Sequence, residues 1–426
     1  MIIFTFSFFK CPRYAIAGII IAKPIIDLTW DYYIAMDISF LKVYAFVFAL
    51  LGVIYLIRYR LNILQSPLSW LWLLFLCLNF VSIFIVTDAT KFVDKIDYFF
   101  RILNGFVVFM LFVHLFDYGL HKRFVLLVFI AAGIAPLLLY LVPFLIGTPI
   151  IAKYGLLRVI GPYHDFWNFM FYATQTIICC FAYLAVADTR KSTTNDVENS
   201  QPSSLISASF LPSLRAKISV TSVLLSLMII VSILMVYTCY TKAGWLTLIV
   251  VLLIWFVLRM KLIPTVLVLA IVAIVIFVEP FATDFQKPFE NEIDYFLQDA
   301  NEKEMVFRGR LSRWERGMDN FSTSPLVNKL LGQEKSDVNP ENDYLRVLWD
   351  NGIIGFAVYI TLLCLTGYIL LKKFSRKRDP IVLAAILALI MYLLNSIGSY
   401  PMLYPAFQWF MWGMIGFVFS KNKPSY

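Results

Sequence analysis

Twelve mostly apolar runs divide this chain, at 14–30, 38–57, 67–86, 98–116, 124–146, 166–187, 218–238, 244–258, 262–278, 352–371, 380–398 and 406–419. A helix needs about 20 such residues to cross the hydrocarbon layer of a bilayer. In that layer every backbone N–H and C=O must be satisfied within the protein, which leaves helices or a closed barrel. Uninterrupted runs without strict alternation select helices. Composition points the same way: 61% of the residues are hydrophobic and 15% charged, against roughly 45–50% and about 25% in soluble domains. The expected fold is an all-α polytopic membrane protein with about 12 transmembrane helices.

Charge then orients the runs. The 36 Lys and Arg outnumber the 27 Asp and Glu, and in a membrane protein such an excess belongs first to cytoplasmic loops rather than to nucleic acid. With the N-terminus inside, the inward segments, from Lys10 and Arg13 to Lys421 and Lys423, collect nineteen basic residues. The short outward segments hold five: Lys91, Lys95, Lys153, Arg158 and Lys242. Both termini are therefore expected in the cytoplasm. The first apolar stretch runs on past Lys10 and Arg13 without an Ala-x-Ala site, so no cleavable signal is expected. The six Cys lie in or beside apolar runs without metal-site spacing and read as lipid-buried thiols.

The expected organisation is nine helices over 1–278, a large outward loop over 279–351 containing short helices, and three helices over 352–426. Two long segments lie outside the runs. Residues 188–217 are rich in Ser, Thr, Asn and Pro, the composition of a flexible cytoplasmic tether. The outward loop is aromatic, and Leu311, Trp314, Met318 and Phe321 recur at helical spacing. They predict an amphipathic helix docked on the bundle or the membrane surface, with Arg313, Arg316 and Asn320 on its other face. The Trp and Tyr residues near 400–412 read as an interfacial belt.

Several chemistries are excluded by what is missing. There is no GxxxxGK[ST] or GxGxxG loop for a nucleotide phosphate. The cytoplasmic side has no Asp-x-Asp and no sizeable domain for a soluble nucleotide sugar. Three His (His114, His121 and His164), with no HExxH or Cys/His cluster, give no basis for a multi-histidine metal site. No cofactor is expected.

The outward loops do collect cations: Arg158, Lys242, and then Arg308, Arg310, Arg313 and Arg316. The last four read equally as a headgroup-contacting face, because the positive-inside rule is weak for a long loop. Arg158 and Lys242 stand where basic residues are disfavoured, and forked guanidinium groups suit phosphate oxygens. The stretch from Asn339 to Leu345 reads as a helix start with Asn339 as N-cap, Pro340 first, and Glu341 and Asp343 in the first turn. Capping explains Glu341 fully. An ionised carboxylate beside arginines at the membrane boundary also suits a base for a sugar hydroxyl.

Five short motifs, in order along the chain, resemble those of the O-antigen ligase and O-antigen polymerase superfamily of bacterial inner-membrane proteins. They are Lys23-Pro24-Ile25-Ile26-Asp27, Arg158-Val159-Ile160-Gly161-Pro162-Tyr163 with Asn168, and Thr241-Lys242-Ala243-Gly244-Trp245, where the family usually has arginine for Lys242. Then come Gly309-Arg310 with Trp314, Pro325 and Gly332, and Glu341-Asn342-Asp343-Tyr344-Leu345 with Gly352-Ile353-Ile354-Gly355.

The resemblance implies metal-independent glycosyl transfer on the periplasmic face from a polyprenyl-pyrophosphate-linked oligosaccharide, in contact with membrane lipids, with a chain-length regulator and a flippase as partners. It assigns Glu341 and Arg310 to catalysis, and Arg158, Lys242, Arg313, Tyr344 and Asn342 to substrate binding. Ligases of the family typically carry histidine where Glu341 stands and polymerases often carry glutamate, which favours a polymerase of O-antigen or similar polysaccharide repeat units. The alternatives are a ligase that moves finished glycan to a lipid A core, and a saccharide or lipid transporter that would use intramembrane charges such as Lys23, Asp27, Lys42 and Arg101.

Overall fold

The structure, a computed structural model, describes residues 8–421 apart from 36–37, 86–88, 147–150, 154–155, 159–162, 164–165, 199–219, 240, 260–261, 278–308 and 333–339. Every apolar run coincides with a helix. These are α1 (Pro12–Asp27), α2 (Phe40–Arg58), α3 (Ser69–Ile83), α4 (Ala89–Leu115), α5 (Lys122–Ile146), α6 (Phe166–Glu198), α7 (Val220–Thr238), α8 (Lys242–Leu258) and α9 (Leu262–Phe277). After α10 (Arg310–Thr323) and α11 (Leu326–Leu331) come α12 (Asp343–Lys377), α13 (Pro380–Gly398) and α14 (Pro405–Phe419). Two short antiparallel ladders interrupt the helices: β1 (Tyr33–Ala35) with β2 (Ile38–Ser39), and β3 (Ile151–Lys153) with β4 (Leu156–Arg158).

Among the described residues, seven helices are long and apolar enough to cross a membrane by length and composition: α2, most of α4, α5 and α6, and α7, α12 and α13. The chain is thus a multi-pass membrane protein. Helices α3 and α8 are apolar but shorter. Helix α6 does not stop at the end of its apolar run. Residues 188–198, expected as the start of a flexible tether, continue it to Glu198, because adding a residue to an existing helix costs little compared with starting one.

The core sits around α14, where every residue from Ala406 to Val418 is buried. A helix that is apolar all round belongs inside a bundle, and α14 packs against α4, α6 and α13. Trp409 and Trp412 are each 2% exposed, with ring centroids 4.3 Å from Phe48 and 4.6 Å from Trp72 respectively. They are core residues, which corrects the interfacial belt expected there: continuous burial on all sides, invisible to a one-dimensional reading, overrides the usual placement of Trp. The free thiols divide as well, with Cys179, Cys180 and Cys239 buried and Cys11, Cys77 and Cys364 exposed on the bundle surface.

The basic loops gather at one end of the bundle. There the Arg13 Nε donates to the Leu115 carbonyl at 2.7 Å, Lys122 pairs with Asp379, and Lys373 donates to the Val418 carbonyl at 2.7 Å. The ends of these helices that lead to the two ladders, α10, and the segment 398–405 lie at the opposite end.

Candidate active site

Helix α10 opens at Gly309, whose φ of 71° is one that glycine adopts without cost. It docks through three contacts. The Trp314 Nε1 donates to the Pro340 carbonyl at 2.6 Å, Phe321 is buried, and Gly317 lies so close to Trp349 that a Cβ there would sit 1.9 Å from its ring. The expected stripe is thus partly rotated: Met318 is 40% exposed. Arg313, expected on the solvent-side face, turns inward to Glu341, because an ion pair there compensates for taking its charge out of water.

Glu341 is the centre of the arrangement. Its Oε2 accepts from both the Nε and Nη2 of Arg310 at 2.6 Å, and its Oε1 accepts from the Nη1 of Arg313 at 3.0 Å. One carboxylate therefore bridges two guanidiniums. Partial burial alone would raise the Glu341 pKa. The charge of Arg310, its hydrogen bond, and those of Arg313 outweigh burial and hold the carboxyl below its usual range. Its backbone has φ of 45°, a left-handed conformation costly for a residue with a Cβ.

That conformation places Glu341 ahead of the helix rather than in its first turn. The N-cap is Asn342, whose Oδ1 accepts from the Leu345 N–H at 3.0 Å, and α12 begins at Asp343. This corrects the expected helix start; Asn339 lies outside the described residues. Asn is as good a cap at 342 as at 339, and the ion pairs with α10 decide which one is used. The Asn342 Nδ2 donates to the Ile397 carbonyl at 3.1 Å, and the Tyr344 hydroxyl donates to the Leu393 carbonyl at 2.9 Å. Both residues proposed from sequence as ligands tie α12 to α13.

A buried charged cluster beneath Glu341 escaped the sequence reading. Asp343 accepts from the Met402 N–H at 2.9 Å and the Ser396 hydroxyl at 3.3 Å. The Arg346 guanidinium lies 5.2 Å from the Tyr98 ring and 5.4 Å from that of Tyr400, and 3.4 Å from Asp350. Lys95 of α4 reaches Asp350 twice, at 3.2 Å to its carboxylate and 2.8 Å to its carbonyl. The signal was available: Asp343, Arg346 and Asp350 follow i, i+3, i+7 spacing on one helical face.

Two glycines complete the platform. Gly352 interrupts α12 at φ 67° and ψ −175°. A Cβ there would sit 2.4 Å from the Leu330 backbone, and one on Gly332 would sit 2.2 Å from the Asp350 carbonyl. The end of α11 is thus pressed backbone to backbone on the break in α12.

The segment 398–405 joins this cluster to a cavity of about 540 Å³ lined in part by Lys42, Arg101, Asn168, Tyr400 and Tyr404. Arg310 lies against Gly398, since a Cβ on that glycine would be 3.5 Å from its Nη1. Arg101 anchors the same segment by donating to the Leu403 carbonyl at 2.7 Å. Lys242 opens α8, where Gly244 presses on Met170 of α6, two residues beyond Asn168. The Thr247–Asn395 hydrogen bond of 3.1 Å lower down sets that helix start level with the end of α13. Arg158 ends β4 in the segment before α6; its side chain and His164 lie outside the described residues, as does Arg308.

Residues 227–360 match the family model described as O-antigen ligase. None of the curated proteins matches the chain. The matched stretch runs from within α7 into α12. It takes in Lys242, Arg310, Arg313, Glu341, Asn342 and Tyr344 and leaves Arg158 outside. The stretch that is similar to O-antigen ligases thus includes the residues that build the arginine–glutamate bridge.

Proposed function

We propose that this protein is a polysaccharide polymerase of the bacterial inner membrane, working on the periplasmic face. It joins repeat units of O-antigen or a similar glycan by transfer from a polyprenyl-pyrophosphate carrier. The observation that carries the reading is the carboxylate of Glu341 bridging Arg310 and Arg313, at the end of the bundle away from the basic loops. By the positive-inside rule the basic end is cytoplasmic and the bridge faces the periplasm.

The bridge suggests how the site works. Two guanidiniums that share a carboxylate present the forked donors that a diphosphate needs. When phosphate oxygens take those donors, the attractions that hold Glu341 ionised weaken and its proton affinity rises. It then accepts the proton of the acceptor hydroxyl while that oxygen bonds to the anomeric carbon. The bond from that carbon to the pyrophosphate breaks, and the polyprenyl pyrophosphate departs with the electron pair. Because the pyrophosphate is already an activated leaving group, the work left to the protein is orientation, proton removal and charge stabilisation, with no metal or nucleotide in the reaction. A positioned base contributes about 10²–10⁴-fold.

Glutamate at 341, in place of the histidine typical of ligases, favours the polymerase over the ligase. In cells whose own gene is replaced by Arg310→Ala or Glu341→Gln, membranes are expected to carry glycan one repeat unit long instead of long chains. Chains of wild-type length from both variants would reject the assignment. Long glycan accumulating on the carrier lipid would identify a ligase.

A further inference from the structure

Helix α11 turns an apolar side away from the protein. Leu326 and Val327 are 71% and 59% exposed, and Leu330 is exposed as well. At about 100° per residue these three point within about 100° of one another. Single exposed apolar residues are ordinary, whereas three on one side of a six-residue helix make a patch. What covers that patch depends on how deep α11 lies.

The depth follows from α12. Its basic stretch, 372–378, begins 20 residues beyond Gly352, and no charged residue stands between the two. At about 1.5 Å per residue that uncharged stretch is about 30 Å long, the thickness of the hydrocarbon layer. With the basic stretch in one headgroup region, Gly352 stands at the opposite edge of the layer, and any tilt of α12 carries it deeper. Helix α11 is pressed onto this point, since a Cβ on Gly352 would sit 2.4 Å from the Leu330 backbone. Bond lengths then keep the Cα atoms of Leu330 and Ile353 within about 9 Å of each other. Ile353 and Ile354 are exposed at the start of the span, where they face lipid. The apolar side of α11 is thus continuous with the lipid-facing side of α12. Its remaining polar residues, Asn328 and Lys329, are partly exposed. A lysine stem lies along acyl chains while its ammonium reaches the headgroup phosphates.

We infer that α11 is an interfacial anchor whose side formed by Leu326, Val327 and Leu330 sinks among the lipid acyl chains at the edge of the bilayer. Ser324 and Pro325 join it to the end of α10, and the start of α10 is held by Glu341 through Arg310 and Arg313. The α10–α11 arm is therefore fixed at one end by the bridge and at the other by the membrane. The partner is the bulk lipid surface and not a carried substrate, so the inference stands whatever group the protein transfers.

The test uses the full chain in lipid nanodiscs, with a genetically encoded fluorescent amino acid at position 327 or, for comparison, in place of the exposed Asp319 of α10. When the nanodisc phosphatidylcholine carries bromine in its acyl chains, emission from 327 is expected to fall about twofold, while that from 319 stays as in unbrominated lipid. Iodide in the buffer is expected to do the reverse, quenching 319 and sparing 327. Equal iodide quenching at both positions would mean that α11 faces water. Shielding of 327 from both iodide and bromine would mean that protein covers it, and either result overturns the inference. Val327→Asp places a charge in the layer and is expected to raise hydrogen exchange over 310–331 by about tenfold, with 380–398 unchanged. Val327→Leu is expected to match wild type. Exchange in Val327→Asp equal to that of wild type would show that the arm does not depend on the lipid contact, and would overturn the anchor.

Discussion

Replacing Glu341 with Gln keeps the shape of the side chain and removes the one negative charge that both guanidiniums face. A hydrogen bond to a charged partner contributes about 1.5–3 kcal/mol when well shielded, and an exposed ion pair about 0.2–1 kcal/mol. The Glu341 side chain is 32% exposed and those of Arg310 and Arg313 are 20% and 24% exposed, so the bridge falls between the two cases. A loss of about 1–2 kcal/mol follows, which in a chain this long lowers the melting temperature in detergent by on the order of 1–4 °C. The pH dependence is the sharper signature. Because the folded carboxyl titrates below its unfolded value, its stabilisation is fully present above the unfolded pKa of about 4.3 and is lost as pH falls through the lower folded pKa. The gap in melting temperature between wild type and Glu341→Gln is expected to be constant from about pH 5 upward and to close below about pH 4. A variant that melts with wild type at pH 7, or a gap that persists unchanged to pH 3, would refute the bridge.

Two further outcomes follow from the platform beneath it. Lys95→Met leaves the buried Asp350 carboxylate, among the described residues, paired with Arg346 alone, and breaking a buried pair costs about 3–5 kcal/mol; hydrogen exchange is expected to rise at 343–351 before the rest of the bundle opens. Asn342→Ala and Asn342→Ser both lose the bond to the Ile397 carbonyl, but only Ser keeps the cap, worth about 1 kcal/mol; the Ser variant is expected to melt above the Ala variant, and equal melting of the two would refute the cap.

The sequence made the helical runs legible because apolar length is a local property. The same is true of the cation at 310 and the carboxylate at 341, which are conspicuous in an outward loop. What could not be read was pairing across distance. Nothing local says that Arg313 turns toward Glu341, 28 residues on, or that Lys95 meets Asp350, 255 residues away in the chain. The cap at Asn342 rather than Asn339 was undecidable for the same reason, since two equal candidates are separated only by tertiary contacts. Trp409 and Trp412 show the reverse case, in which a sound local preference for the bilayer boundary yields to the position of α14 at the centre.

The break at Gly352 also decouples aim from depth. In an unbroken helix each inserted residue would turn everything beyond it by about 100° and move it by about 1.5 Å. With the helical register reset at Gly352 and fixed there by the backbone of α11, the stretch 343–351 keeps its compass bearing whatever the length of the span that follows. Lengthening or shortening residues 353–377 to suit a thicker or thinner bilayer would raise or lower Glu341 without swinging it away from its arginines.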